Sequence, residues 1–393
     1  MIYADKFKYQ KLLLILDYNP TQDKIKKMKK IITYKTLLFI LILISCQPKE
    51  EVLTESNIDT SIPNLNDTDI WLRDNFTTPY NIEVTYKWDE GRVDLNRFLF
   101  PPTLEKVIPI MNAVKTIWID TYSQVGGEDF VKNIAPRELV IVGGFNLNEN
   151  GTRTLGFAEG GKNIVLFEAD LIDLKDKESV IRFVRTVQHE YTHILNQQFR
   201  FDEEAYKQIT PGDYTAQWFN PANRTERFDI ANSAGFITDY SRLNHTEDFA
   251  EMVATMLSNS PSEYQTIIDN IRTRIIEKAV NEAISELPAG ASDEEIEIAR
   301  NAATLTATPD ADKAIDFIKQ KEALVAEYYL KQFNVDITSA QAPDDIRDLV
   351  IAKLNLFREE FNRQIGVSKD VSVQWSPQIH DLSVISPVQG QSA

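Results

Sequence analysis

The chain of 393 residues has few of the residue types that build disulfide frameworks or nucleic-acid sites. Its single cysteine excludes an intramolecular disulfide and a zinc site made of cysteines. Its formal net charge of −17 argues against nucleic acid as a partner. The sequence also lacks internal repeats. Its 43% hydrophobic content is ordinary for a globular protein of a size that buries a substantial core.

Histidine is scarce as well, yet two of the four histidines stand four residues apart in the sequence. Residues 180–198 have apolar residues at helical spacing, which predicts one amphipathic helix. On that helix His189 and His193 share a face. With Glu190 they form the His-Glu-x-x-His arrangement of zinc metallopeptidases, with two imidazole ligands and a carboxylate that takes a proton from the attacking water. The alternative is a helix with two solvated or core histidines.

A catalytic zinc needs a third protein ligand. Glu247 and Glu251 lie four residues apart, on one face of a helix that we predict to begin near Glu247, capped by Asn244 or Thr246. We assign Glu247 to the metal. We assign Glu251 to the free ring N–H of a ligand histidine, because such carboxylates orient the imidazole.

His245 is the rival third ligand. The non-functional explanation of this stretch is an acidic helix start favoured by the helix dipole, and it applies well to Asp248.

The amino-terminal segment predicts secretion and lipidation. Residues 1–45 read as a signal peptide with a misassigned upstream start, the true initiator being Met28. The run 43–46, which ends at the only cysteine, Cys46, resembles the lipobox of bacterial lipoproteins and implies acylation there. The residues 47–51 after it look like the signal that exports lipoproteins to the cell surface in Bacteroidetes. Removal of residues 1–45, with nine Lys and three Asp, leaves a more acidic chain, which acyl chains rather than charge would hold at a membrane.

The chain divides into segments with different expected roles. They are a polar lipid-anchored tether at 46–68, a peptidase domain at 69–366 with an upper part 69–200 and a helical lower part 201–366, and a tail at 367–393. In the upper part we predict strands at 81–88, 137–144 and 163–169, a helix at 104–122 and a loop or bulge at 156–162. Downstream we predict helices at 246–258, 262–286, 294–304, 311–333 and 343–361, with breaks at 287–292 and 304–310.

The expected fold is α+β and zincin-like, with a small mixed sheet over the active-site helix and a mainly helical C-terminal half. The order strand, helix, strand, strand, active helix is that of the upper half of a zincin peptidase. Residues 156–167 are the candidate edge strand, to which an extended peptide would add by backbone hydrogen bonds. An ordinary hairpin strand is an equally good explanation of them. The aromatic residues of the loop-rich stretch 199–235 either wall the cleft or cap the core.

The stretch 240–251 resembles the third-ligand helix of anthrax lethal factor and related gluzincins. The matching residues are Tyr240, Asn244, Glu247 and Glu251, with an acidic residue at 248 where the relative has an aromatic one. The resemblance implies that Tyr240 is the hydroxyl donor to the oxyanion.

The chain as a whole, over about 70–366, is similar to the zinc-binding metallopeptidase lipoproteins of Bacteroidetes, also described as substrate-import-associated zinc metallohydrolases. The residues that carry this similarity are the lipobox, 79–84, 101–102, 158–161, the His-Glu-x-x-His helix and 247–251. The resemblance implies one Zn²⁺ per chain, a location on the outer membrane facing the cell surface, and an outer-membrane import complex as a partner.

These patterns predict a surface-anchored zinc metallopeptidase that acts on a peptide or protein substrate. Two other hypotheses stay open. One is a non-catalytic lipoprotein that binds peptide or glycan for an import system, with the zinc structural or absent. The other is a zinc hydrolase of a non-peptide amide.

Overall fold

The structure, a computed structural model, describes residues 64–89, 91 and 97–332, together with 29–30, 32–33 and 363. Several predicted features lie outside the described residues. They are nearly all of the predicted signal segment, the predicted lipidation site Cys46, most of the predicted tether, the helix predicted at 343–361 and the tail. Within the described ranges, no helix combines the length and the apolar character that crossing a bilayer requires.

The described chain is mainly helical. Its longer helices, in chain order, are α1 Asp67–Leu72, α2 Leu104–Val114, α3 Thr121–Gly126, α4 Glu128–Ile134, α5 Lys177–Gln198, α6 Glu203–Lys207, α7 Arg224–Ser233, α8 His245–Leu257, α9 Pro261–Ser285 and α10 Asp293–Gln332. Single turns extend or connect them at Arg73–Thr77, Thr78–Tyr80, Lys115–Asp120, Ala169–Leu171 and Tyr240–Arg242. The strands are β1 Glu83–Thr85, β2 Glu138–Ile141, β3 Asn146–Leu147, β4 Arg153–Thr154, β5 Gly156–Glu159 and β6 Asn163–Leu166.

Four of the strands form a small mixed sheet in the order β1-β2-β6-β5. Strands β1, β2 and β6 are parallel, whereas β5 runs antiparallel to β6 and forms one edge. Strands β3 and β4 pair separately as a short hairpin. The α+β class, the small mixed sheet and the mainly helical second half are therefore confirmed.

Helix α5 lies against the edge of this sheet. The side-chain oxygen of Asp176 accepts a hydrogen bond from the backbone N–H of Ser179 and so caps the helix. The helix begins at Lys177, three residues before the predicted start. The apolar face of α5 enters the main core, where the ring of Tyr191 packs edge-on against Trp118 and Tyr122 at centroid distances of 4.9 and 4.8 Å. The helix that carries His189 is thus fixed by core packing along its length.

Glycine lets β5 approach α5 closely. A Cβ atom at Gly156 would lie 2.9 Å from Cγ2 of Thr186 and 3.1 Å from Cγ of Glu190. The interpretation of 156–162 as a loop or bulge is wrong for its first four residues, which form β5. The glycines suggested a loop, but Gly156 serves this close approach, and Gly160 and Gly161 make the β5–β6 turn at φ +56° and +66°.

The predicted break at 304–310 is also wrong, because α10 continues through Pro309. Proline removes one backbone donor, which usually interrupts a helix. Here the carbonyl four residues earlier belongs to Leu305, which is 79% exposed, so water can satisfy it. The buried face continues across the proline at Ala307 and Ala311, and packing against α9 keeps the helix intact.

Other boundaries differ more modestly. The strand predicted at 81–88 is limited to β1, and the helix predicted at 104–122 contains a π-helical stretch. The loop-rich stretch 199–235 contains α6 and α7. Its aromatic residues Tyr214 and Trp218 pack behind the site and not along the cleft: Trp218 lies edge-on against Tyr240 at 4.9 Å.

Candidate metal centre

Three side chains from two helices converge on one point. Nε2 of His189 lies 3.0 Å from Oε2 of Glu247, and Nε2 of His193 lies 3.2 Å from the same oxygen. The two histidine Nε2 atoms are 3.2 Å apart. Helix α5 provides both histidines one turn apart, and α8 provides the glutamate.

The start of α8 is built to present Glu247. The side-chain oxygen of Asn244 accepts hydrogen bonds from the backbone N–H groups of Thr246 and Glu247, both at 2.9 Å. Asn244, one of the two predicted caps, is therefore the residue that starts this helix, one turn before its buried part. The cap fixes Glu247 in the first turn, from which its carboxylate faces α5.

The donor set fits a zinc ion. Imidazole nitrogen and carboxylate oxygen are common zinc ligands, and donors at about 2.0–2.1 Å from a tetrahedral centre lie about 3.3 Å from one another. The observed separations of 3.0 and 3.2 Å are close to that value. Among the described residues, these three side chains form a group whose ligand atoms lie close enough together to hold one metal ion.

His245, the rival third ligand, is turned away from this point. Its Nε2 atom lies 3.3 Å from Oε2 of Glu203, at the other side of the α8 start. The geometry therefore brings Glu247, and not His245, to the two imidazoles.

Glu251 lies behind His189, as expected for a carboxylate that orients a ligand. Its Oε1 atom is 2.9 Å from Nδ1 of His189, and both side chains are almost completely buried. Burial opposes ionisation of Glu251, but His189, Arg185 and Thr238 outweigh it and lower the pKa of the carboxyl group. An ionised Glu251 holds the ring of His189 with Nε2 directed toward the cluster.

Arg185 is a buried cation beside the centre that no sequence pattern indicates. It lies one turn before His189 on α5, is 1% exposed, and its Nη2 atom is 3.2 Å from Oε2 of Glu251. Arginine is almost never buried without a counter-charge. Arg185, Glu251 and His189 thus form a buried chain that ends at the metal ligands. The helical register of Arg185 and His189 was visible in the sequence, but the contact with α8 was not.

Glu190 points into the cleft from the turn that carries the histidines. It is 3% exposed, and its carboxylate accepts a hydrogen bond from the backbone N–H of Ala158 on β5. Burial raises the pKa of Glu190, and His189 and His193 counteract it. A buried carboxylate with a raised pKa is well suited to accept a proton.

Tyr240 lies on the α8 side of the same centre. Its ring is 6.0 Å from that of His189, and its hydroxyl hydrogen-bonds to Glu247. Burial, together with the nearby carboxylates, raises the pKa of the Tyr240 hydroxyl well above its ordinary value. The hydroxyl therefore stays protonated at neutral pH and is able to donate a hydrogen bond.

Helix α10 supports the centre from behind. Nζ of Lys321 lies 2.8 Å from Oδ2 of Asp248, and both side chains are fully buried. The hydroxyl of Tyr122 donates to Oε1 of Gln188 at 2.9 Å and lies 3.1 Å from the Tyr329 hydroxyl. Asp248 and Gln188, the sequence neighbours of Glu247 and His189, are thus both linked to α10. Asp248 is linked by its ion pair, and Gln188 is linked through Tyr122. The acidic-helix-start explanation of Asp248 does not hold, because this carboxylate is buried and paired.

A cleft of about 580 Å³ opens beside the centre. Its lining includes β5 on one side, the cluster and Glu190 at the base, and residues 196–203 at one end. The edge strand, the candidate base and the three candidate ligands therefore face the same space.

Comparison with known proteins gives a match over most of the chain. The model of a family described as "Putative zinc-binding metallo-peptidase" matches residues 62–338. A solved structure described as a "putative zinc-binding metallo-peptidase from Bacteroides caccae ATCC 43185" is 23% identical, with a TM-score of 0.48 over 77% of this chain and 92% of that chain. No curated protein matches. The family match alone covers well over half of the sequence.

Proposed function

The chain belongs to this family of zinc-binding metallopeptidases, and from that premise we propose that it is a peptidase of the gluzincin type with Glu190 as its general base. The observation that carries the proposal is the convergence of His189, His193 and Glu247 within 3.2 Å of one another, beside a buried Glu190. A structural metal site needs ligands, but it does not need a base.

The roles of the protein groups follow from their surroundings. Zinc, when bound by the three ligands, would polarise the scissile carbonyl and lower the pKa of a water molecule. Glu190 accepts the proton of the attacking water and passes it to the leaving amine. The backbone N–H of Ala158 holds the Glu190 carboxylate in place against β5.

Tyr240 stabilises the negative charge that develops on the carbonyl oxygen. Its hydroxyl is a buried donor, and preorganised donors of this kind are effective because they need no reorganisation during the reaction. The hydroxyl donates to the carboxylate of Glu247, which places it beside the candidate ligands.

The edge strand supports binding of an extended peptide. The backbone N–H of Phe167 donates to the carbonyl of Leu155 at 2.9 Å. In an antiparallel pair the backbone N–H and C=O groups of Leu155 and Phe157 therefore point toward β6. The backbone groups of Gly156 and the carbonyl of Ala158 consequently face the cleft, while the Ala158 N–H donates to Glu190. A peptide that lies along the cleft would pair with them as an added strand.

Replacing Tyr240 by Phe should lower kcat by about 10²-fold or more, because one oxyanion donor is lost. Zinc content should stay at the wild-type level, since the residue is not a ligand in this proposal. Steady-state kinetics and metal analysis of the same preparation measure both quantities. Loss of zinc from this variant would instead assign Tyr240 to the metal or to the fold.

Replacing Glu251 by Gln should weaken zinc binding by about 10- to 100-fold, because the carboxylate no longer orients His189. The variant should also lose a few kcal/mol of stability, since Arg185 then remains buried without its counter-charge. Competition with a chelating dye measures the first effect and thermal unfolding the second. Glu204→Gln is the matched control, because Glu204 is exposed and pairs only with Lys207. Equal zinc affinity in both variants would contradict the role of Glu251.

The location of the protein follows from the sequence motifs. We propose that Cys46 is acylated and that the chain is a lipoprotein of the outer membrane, exposed at the cell surface and associated with an import complex. Cys46 lies outside the described residues, so this proposal depends on the lipobox and on the export-like residues after it.

One experiment separates the peptidase from a non-catalytic binding protein and from a hydrolase of other amides. The purified chain is analysed for metal and then incubated with a mixed peptide library, with and without chelator. Cleavage that the chelator abolishes and zinc restores supports the peptidase. Stoichiometric zinc without any chelator-sensitive cleavage would contradict it and favour the binding protein.

A further inference from the structure

One end of the cleft contains polar groups that the proposed reaction does not use. Asn196 follows His193 by one turn on α5, and Arg200 stands two residues beyond the end of that helix. Both line the same cleft as the candidate ligands. His189, His193 and Asn196 are spaced by four and three residues, so they lie along one side of α5. Arg200 follows the end of this helix and lines the same cleft.

The Asn196 amide has no hydrogen-bond partner among the described residues. Within the part of the chain that the structure describes, neither its Nδ2 nor its Oδ1 atom makes a hydrogen bond, although both atoms are shielded from solvent. A shielded amide without partners is destabilising, so such groups in folded proteins are normally satisfied by water or by a ligand. This amide faces a cleft in which a ligand would supply the missing bonds.

Arg200 is an exposed cation that has no counter-charge within the described part of the chain. Among the described residues it makes neither an ion pair nor a hydrogen bond. Glu203 lines the same end of the cleft, but its carboxylate lies against His245. In a chain with a net charge of −17, an unpaired guanidinium beside the cleft is the group that would attract a negatively charged part of a substrate.

The packing of β5 on α5 gives the distance between Arg200 and the scissile bond of a peptide bound along β5. Gly156 lies against Thr186 and Glu190, whereas Gly161 lies against Gln197, so the strand and the helix run side by side in the same direction. Gln198, the last residue of α5, lies five residues after His193, which is about 7.5 Å along the axis at about 1.5 Å per residue. Arg200 follows two residues later, after the extended Phe199, so it lies roughly 10 Å or more from His193. An extended peptide advances about 3.3 Å per residue, so this distance corresponds to about three substrate residues.

We propose that Asn196 and Arg200 form a subsite for a substrate carboxylate about three residues from the scissile bond. Arg200 supplies the charge, and the Asn196 amide donates a hydrogen bond to the carboxylate or to the adjacent backbone. The carboxylate belongs either to an acidic side chain or to the peptide C-terminus. This inference rests on the proposed peptidase function for the location of the scissile bond, but not for the binding itself.

The first test compares the cleavage of matched peptides by the zinc-loaded full chain. The two peptides of the first pair have amidated C-termini and differ only in carrying Glu or Gln at one position near the cut, and this position is varied along the peptide. The two peptides of the second pair differ only in ending in a free carboxylate or in an amide. We expect kcat/KM to favour the carboxylate by roughly fivefold in one of the two pairs, a size typical of an exposed ion pair. The pair that responds identifies the source of the carboxylate. The preference should shrink at high salt.

Charge variants test whether Arg200 causes the preference. Arg200→Gln should abolish it, and Arg200→Glu should reverse it in favour of Lys at the same position. Asn196→Ala should reduce it. Lys207→Gln, which removes the same charge from α6 outside the cleft lining, should leave it unchanged. A preference that persists in Arg200→Glu, or equal cleavage of both members of both pairs by the parent chain, would overturn the proposal.

Binding separates this subsite from the peptidase proposal. Fluorescence anisotropy of labelled peptides with the Glu190→Gln chain measures affinity without cleavage. Tighter binding of the carboxylate peptides that disappears with Arg200→Gln supports the subsite, even if no peptide is ever cleaved. Cleavage without any Arg200-dependent affinity or rate would leave the peptidase standing and refute the subsite.

Discussion

The Glu190→Gln chain should retain one zinc per chain and lose at least about 100-fold in kcat, because the amide cannot accept a proton from the attacking water. The substitution preserves the shape of a side chain that is 3% exposed, so packing against β5 should be kept. Metal analysis and single-turnover kinetics on a cleaved peptide measure the two quantities. A large kinetic effect with unchanged zinc distinguishes a base from a ligand.

Glu178→Gln is a suitable control for this loss of charge. Glu178 lies in the first turn of the same helix and is exposed. Its substitution should leave kcat within a factor of about two, as expected for a surface change away from the site. A Glu190→Gln chain that turns over as fast as the Glu178→Gln chain would remove Glu190 from the mechanism.

Glu247→Ala should remove most of the bound zinc and with it the activity. The carboxylate provides the only oxygen among the three converging donors, and two imidazoles from one helix cannot enclose the ion alone. We expect the zinc affinity to fall by more than 100-fold, beyond the effect of losing a carboxylate behind a ligand histidine. Chelator competition and thermal unfolding with and without zinc measure the change, since bound metal stabilises the folded state.

His245→Ala is the internal comparison for this experiment. His245 stands two residues before Glu247, at the first position of α8, and pairs with Glu203 instead of the cluster. Its zinc affinity should match that of the parent chain. The opposite pattern, with zinc lost from His245→Ala and kept by Glu247→Ala, would show that the helix start rearranges when metal binds.

The residues of the centre could be predicted because the spacing on each helix is local information. His189 and His193 owe their common direction to helical spacing, and Glu247 and Glu251 to the same rule on another helix. Contacts between the two helices could not be predicted in this way. Arg185 has no local signal, since a buried arginine and an exposed one look alike until the helix that opposes it is known.

The errors in the fold have a common physical cause. Glycine and proline were interpreted from their local preferences, whereas packing decided their actual conformation. Gly156 lies in a strand at a position where α5 leaves no room for a side chain. Pro309 lies in a helix because α9 packs against its buried neighbours. Local propensity is a weak guide wherever tertiary contacts oppose it.

The buried ion pair between Lys321 and Asp248 has a consequence for the smallest active form of the protein. Neither charge can lose its partner without a large destabilisation, because both are sealed from water. A truncated version that ends before residue 321 would contain every zinc-binding side chain and still fail to assemble them. A cut in α10 before Lys321 would therefore inactivate the protein although it lies far along the chain from every candidate zinc ligand.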